Sequence, residues 1–266
     1  WTRLMSYSSV TDIFGSNRQG WYDNVVSVDP TNKDKIYMGG VDLATWDVVN
    51  GYRETAGTYD APWNTNYVHA DKHMIAWDMS TTPPTIIVGS DGGLHRSYDG
   101  RIWTPISRGF VSLQLYNVAA NELGHMTGGS QDNGTYLLNF SGNSFNGQPS
   151  KTGISIYGGD GFDVEFSRFS PKTVFVSTYY GNVARTANSG QSTSTFWDDR
   201  QPGTAQSDFN TTFCLWESGP KTSRLFLAKN SEVWMANNPT DFAETVSWYL
   251  VAKGLGNDRI IEMDYT

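Results

Sequence analysis

The sequence has little of several things that most globular chains use freely. It carries one cysteine in 266 residues, Cys214, so no internal disulfide can form. Charged side chains make up only 17%, against a typical ~25%. Basic residues are the scarcer sign, with 19 Lys and Arg against 27 Asp and Glu. The net charge of −8 repels polyanions, which argues against nucleic acid and an anionic membrane surface as partners. No run approaches the ~18 consecutive apolar residues of a membrane span. No basic, apolar leader opens the chain, which begins Trp1-Thr2-Arg3 and reads as a processed or truncated piece of a longer, multidomain protein. Leucine is scarce and no long segment keeps a helical period, so a coiled coil and a leucine-rich bundle are excluded. Cys214 lies in the apolar run Phe213-Cys214-Leu215-Trp216 with no histidine near it in sequence, the setting of a buried, inert thiol.

What the chain has instead is aromatic rings and glycine: 10 Trp, 14 Tyr, 13 Phe and 27 Gly. Trp, Tyr, Phe, Val and Ile fit a pleated, half-buried surface, so the expected class is all-β. A repeat sharpens this. A β-rich run, a polar turn and a second run ending in small residues recur at 25–40, 74–90, 116–130, 162–178 and 213–229. The second runs end at Gly39, Gly89, Gly128, Ser177 and Ala228, spaced 50, 39, 49 and 51 residues apart. That period belongs with β-propeller blades of four short antiparallel strands, for which ~40 to 50 residues is usual. The expected blades cover 21–65, 70–107, 113–157, 162–200 and 211–250, with an outer strand of a preceding blade at 1–8 and an inner strand of a following one at 258–266. A propeller of seven or more blades would need more than ~300 residues, so the chain is expected to be a portion of one. In the second unit the strands are expected at 73–79, 85–89, 94–97 and 102–106, with Pro83-Pro84 in the first turn.

Between the last two of these strands stands SYDGRIW, in which Ser97, Asp99, Gly100 and Trp103 resemble the Asp-box hairpin, one residue short. A degenerate copy, Thr186, Asn188 and Gly190, falls at the same place in the fourth unit. The work of such a box is structural: the Asp or Asn oxygen accepts turn N–H groups, Gly supplies a positive φ, and Trp wedges against a neighbouring strand. With the segments VHADKH, GSDGGLHRS, GGSQDNGTY and GGDGFDVEF, the chain resembles the BNR/Asp-box propellers of secreted bacterial proteins. These are sortilin-N-terminal-like or glycosyl-hydrolase-like, and common in Bacteroidetes-type surface proteins with a C-terminal sorting domain. The resemblance implies an extracellular or cell-surface location and type IX secretion. It implies a fold more than an activity.

Alternating strand direction sorts the polar motifs by face. Connections between blades and the middle loop of each blade emerge on one side, and these carry Tyr67, His69, Asp71, His73, Asp42, Ser90, Asp91, Gln131, Asp132, Asn133, Gly158, Gly159, Asp160 and Asp163. That side is expected to be one mouth of the channel, where propellers bind ligands. His69, Asp71 and His73, at alternate positions, suit either one strand face with a divalent cation or a hydrogen-bonded loop closure. Asp91-Gly92-Gly93 and Asp132-Asn133-Gly134 have the chemistry of tight turns. Gly158-Gly159-Asp160-Gly161 precedes a strand, not a helix, and so lacks the N-terminus that cradles phosphate.

Three functions fit. The first is a non-catalytic module binding a glycan or a surface or secreted protein through His69, Asp71, His73, Asp91, Gln131, Asp132, Asn133, Asp160, Trp63 and Tyr67, with Trp21, Tyr22, Tyr179 and Tyr180 as further stacking rings. The second is a glycoside hydrolase of the xyloglucan-cleaving propeller kind, with a catalytic pair drawn from Asp71, Asp91, Asp132 and Asp160. The third is a structural module of a larger surface protein. The binding module is the leading expectation, with no cofactor required.

Overall fold

A computed structural model of the chain describes residues 3, 4, 12–16, 18–109, 113–140, 153–190, 198–200 (backbone alone), 202, 207–255, 260 and 262–264. The chain is all-β, and its described residues form five four-stranded antiparallel sheets of the β-propeller blade type, each with its strands paired in chain order. Among the described residues the one helical element is the 3-10 turn Tyr179–Gly181, and no helix is long and apolar enough to cross a membrane.

Two compact units divide the chain, Trp1–Ser112 and Leu113–Thr266. The first holds two blades. Blade 1 is Val25–Asp29, Asn32–Gly39, Leu43–Asp47 and Gly51–Ala56 (β1 to β4). Blade 2 is Lys72–Asp78, Thr85–Ser90, Gly93–Ser97 and Thr104–Pro105 (β5 to β8). The second unit holds three. Blade 3 is Asn117–Ala120, His125–Ser130, Gly134–Asn139 and Gly153–Tyr157 (β9 to β12). Blade 4 is Val164–Phe166, Val174–Ser177, Val183–Thr186 and Asp198–Arg200 (β13 to β16). Blade 5 is Phe213–Gly219, Thr222–Lys229, Glu232–Asn237 and Trp248–Ala252 (β17 to β20). The outer strand of blade 2 is shorter than the sequence suggests, because the Asp-box turn occupies residues up to Trp103. The strands expected at 1–8 and 258–266 fall mostly outside the described residues, and 3, 4, 260 and 262–264 belong to no strand.

The blades form because apolar and small residues alternate along short runs bounded by turns. In β13, Val164 and Phe166 are buried while Glu165 between them is half-buried and turned to the opposite face. The buried faces meet between consecutive blades. In the first unit Tyr37, Leu43 and Ala56 pack with Val68, Ile75, Ile86, Val88 and Trp103. In the second, Leu137 and Ile156 pack with Val164, Phe166, Val174, Val176 and Ala184, and Phe175 and Val183 with Phe213, Leu215, Leu225, Leu227 and Ala236. Each such fully buried aliphatic side chain contributes about 1.5–3 kcal/mol. Cys214 is buried and burial pushes its thiol up to about 11, leaving no thiolate at neutral pH.

The Asp-box is built as its residues require. Ser97 Oγ accepts the N–H of Gly100 at 2.9 Å, and Asp99 Oδ1 accepts those of Arg101 and Ile102 at 2.8 and 2.9 Å. These bonds, that of Ile102 first, hold the Asp99 carboxyl below its usual range. Gly100 has φ +73°, and Trp103, only 3% exposed, donates through Nε1 to the carbonyl of Thr55 in blade 1. In the degenerate copy Thr186 Oγ1 donates to Asn188 Oδ1 at 2.7 Å and Gly190 has φ +73°. The rest of that copy lies outside the described residues.

Candidate functional site

In the first unit, the loop side of the two blades collects carboxylates. Asp71, immediately ahead of β5, has φ +59°, a left-handed backbone that a non-glycine residue adopts at a cost. Its Oδ1 accepts from Gln19 Nε2 at 2.7 Å, and the same amide reaches Asp23 Oδ2 at 3.4 Å. An oxygen of Asp71 and one of Asp91, in the middle loop of blade 2, lie within 4.8 Å of each other. Burial, then Asp23 and Asp91, push the Asp71 carboxyl up to about 6. Asp23 is fully enclosed, and burial raises it as well. Asp91 is held from two sides, by the Tyr22 hydroxyl on Oδ2 and by His73 Nε2 at Oδ1, each at 2.8 Å.

The alternation of His69, Asp71 and His73 does not become a strand face. The left-handed Asp71 and an irregular register between Lys72 and Met74 break it. His73 turns to Asp91, whereas His69 packs edge-on to Tyr67 and so close to Gly92 that a Cβ there would fall 2.3 Å from the imidazole. Tyr67 also meets the buried ring of His95 edge-on. Trp63, at 83% exposed, and Trp21, at 85%, stand in solvent. Lys72 is fully buried and donates to the Val41 carbonyl and, at 2.7 Å, to Thr58 Oγ1. Burial lowers it to about 8.

In the second unit Asp160, Asp163, Glu165 and Glu217 each accept a backbone N–H. Asp160 Oδ1 accepts the N–H of Asp132 at 2.7 Å, fixing the blade 3 turn, where Asp132 has φ +65° and Asn133 Nδ2 donates to the Gln131 carbonyl. Asp163, immediately ahead of β13, accepts from Asn117 Nδ2 at 3.2 Å and from the N–H of Phe213 at 3.0 Å. Glu165 Oε2 accepts the N–H of Leu215 at 2.9 Å, and Glu217 accepts from Ser167 Oγ and the N–H of Arg168, both at 2.6 Å. Burial, then Glu217 and Asp163, push Glu165 up to about 7.

The loop side of this unit carries aromatic rings in unbroken contact. Tyr116 meets Phe162 edge-on with centroids 5.0 Å apart, Phe162 meets Phe209 at 5.4 Å, and Phe209 stacks on Tyr179 at 6.2 Å and 12°. Tyr180 closes on both Tyr179 and Phe209. All come from connections between blades or the middle loop of blade 4, the positions that topology gathers on one side. Phe162 is buried and anchors the row, while Tyr116 and Tyr180 stay 49% and 51% exposed. Tyr180 has φ +62°, held there while its N–H bonds the carbonyls of Asp208 and Phe209. The Tyr116 hydroxyl donates to Gln131 Oε1 at 2.8 Å, which sets an amide beside the first ring.

The residues missed in the sequence are Gln19, Asp23 and Lys72 in the first unit, and Tyr116, Phe162 and Phe209 in the second. Position marks part of this set: Tyr116 immediately precedes the inner strand of a blade, Asp23 and Phe162 stand two residues before one, and Lys72 begins one.

No protein-family model matches the chain, and no curated protein does. Solved structures do. The chain is similar to a GH74 xyloglucanase from Xanthomonas campestris, at 16% identity and TM-score 0.36, covering 88% of this chain and 38% of that one. It is similar to Sqt1 from Chaetomium thermophilum, at 13% identity and TM-score 0.43, over 89% of this chain and 60% of that one. U3-55K matches at 12% identity and TM-score 0.33, over 79% and 59%. The chain thus spans 38% to 60% of the length of these structures. The blade assignment rests on the sheets themselves.

Proposed function

We propose that this chain is a ligand-binding propeller module whose second unit binds a glycan on its loop side. The observation that carries this reading is the connected row Tyr116, Phe162, Phe209, Tyr179 and Tyr180. Aromatic side chains left half in water cost free energy, and a tyrosine in left-handed backbone adds about 1 kcal/mol more. Flat rings suit the C–H faces of pyranoses. Gln131, Asp160 and the tyrosine hydroxyls supply the few polar groups that would fix sugar hydroxyls. Affinity electrophoresis against β-glucans and other plant or algal glycans tests it. The native chain should be retarded by at least one glycan, and Tyr180→Ala and Phe209→Ala should remove the retardation while circular dichroism stays unchanged. Unretarded native chain, or variants that bind as it does, would sink the reading.

A second reading, glycoside hydrolysis, has one observation in its favour. Asp71 and Asp91 offer carboxylate oxygens within 4.8 Å of each other, near the ~5 Å carboxyl separation of retaining glycosidases. Release of reducing ends from the same glycans, lost in Asp71→Asn and Asp91→Asn, would establish it and displace the non-catalytic one.

A further inference from the structure

We propose that the chain pairs with a second copy of itself, edge to edge, through β20, the outer strand of blade 5. β20 ends its sheet, so the backbone groups on its outer side meet no further strand among the described residues. Three large apolar side chains in succession, Tyr249, Leu250 and Val251, stand 52%, 43% and 53% exposed on it. Residues 245–252, Thr-Val-Ser-Trp-Tyr-Leu-Val-Ala, hold no charge and no proline. A neutral edge of β-branched and aromatic residues is the kind that recruits another strand.

The other four outer strands are blunted, each by a device that keeps edges from pairing. β4 carries the exposed Arg53 and Glu54, and β8 is two residues long and ends in Pro105. β12 exposes only Gly153 and Ser155, and β16 is the charged run Asp198-Asp199-Arg200. β20 has only an irregular step at Val251, which leaves Trp248 to Leu250 in regular register with β19.

Charge selects a second copy as the occupant. Glu244 and Lys253 bracket the neutral run, both exposed and neither in an ion pair among the described residues. When two copies lie antiparallel about a two-fold axis between Trp248 and Tyr249, Glu244 of each comes opposite Lys253 of the other, and the two aromatic rings come opposite one another. The step at Val251 displaces Lys253 by one position, a gap its long side chain spans. A parallel copy would instead set Glu244 beside Glu244 and Lys253 beside Lys253. The antiparallel arrangement is self-complementary and closes at two copies. One pair of strands makes an interface at or below the ~1,200 Å² of weak complexes, so the affinity is expected to be micromolar. This inference concerns a strand edge and does not rest on the glycan reading.

Sedimentation velocity of the full chain from about 1 to 100 μM provides the test. We expect a concentration-dependent passage from monomer to dimer. Tyr249→Lys, which sets a charge at the centre of the pairing, should leave a monomer with unchanged circular dichroism. Glu244→Lys and Lys253→Glu should each raise the dimer dissociation constant about fivefold or more, and the two together should restore it. Native chain that stays monomeric throughout, or that assembles without stopping at a dimer, overturns the proposal with no variant needed. A dimer that survives Tyr249→Lys, or that is indifferent to the single charge reversals, overturns it equally.

Discussion

Asp71 and Asp163 occupy the same place in their blades, immediately ahead of the inner strand, yet they live differently. Asp163 spends its oxygens on Asn117 and on the backbone of the next blade. Asp71 meets one neutral amide and two further carboxyls. The same blade position thus holds one carboxylate that fastens the fold and one that stands among other carboxyls. In the second unit Asp160, Asp163, Glu165 and Glu217 fasten the fold and Tyr116 and Tyr180 stay half exposed. In the first unit Asp99 fastens the Asp-box turn, whereas Asp71 stands among other carboxyls.

Three measurements can break or sharpen this contrast. The largest effect is expected from Asp163→Ala, which strips an acceptor from the Phe213 N–H and should cost about 1–3 kcal/mol in urea unfolding. Asp71→Ala should cost less, because relief of like-charge crowding offsets the lost bond from Gln19. Equal losses at the two positions would erase the distinction.

An effect of comparable size is expected with pH, because burial raises the Glu165 carboxyl in the folded chain. Its pKa of about 7 in the folded chain stands above the ordinary 4.5. Between those values the folded chain keeps a proton that the unfolded chain has released. Its contribution to stability is therefore complete below about 4.5 and is lost as pH rises through about 7. The urea midpoint should decline over that window, and Glu165→Gln should flatten the decline.

The smallest stability effect is expected at Tyr180. Tyr180→Gly relieves its positive φ but loses ring contacts, so the unfolding free energy should change by less than about 1 kcal/mol. Glycan retention should nevertheless disappear. A large destabilisation would instead make the ring a packing element.

Much of this architecture could be read from the chain. The recurring ends at Gly39, Gly89, Gly128, Ser177 and Ala228 mark second strands that finish within two residues of them. Ser97, Asp99 and Trp103 announce a turn whose bonds are local and therefore visible in a short motif. The pairing of His73 with Asp91 and the crowding of Asp71 are partly legible, because both fall in loops that topology sends to one side. Asp23, Gln19 and the row from Tyr116 to Phe209 were not. Their partners lie tens of residues away, as with Gln19 and Asp71, and no local pattern marks a contact made across blades. For His69, Asp71 and His73 regular spacing left a shared strand face and a hydrogen-bonded loop closure both open, and the left-handed residue between the histidines breaks the shared face.

The bonds from Asp163 to Phe213, Glu165 to Leu215 and Arg168 to Glu217 bridge 50, 50 and 49 residues. They act as teeth of a key cut into β13, its following turn and β17. Residues inserted between the strands lengthen a loop, at a cost that grows only slowly with length. One residue deleted within β13 withdraws the teeth behind it from the lock and turns the intervening side chains to the wrong face. Length variation between blades 4 and 5 is thus permitted in the connections and forbidden in the inner strands, so the fold itself dictates where this chain can grow.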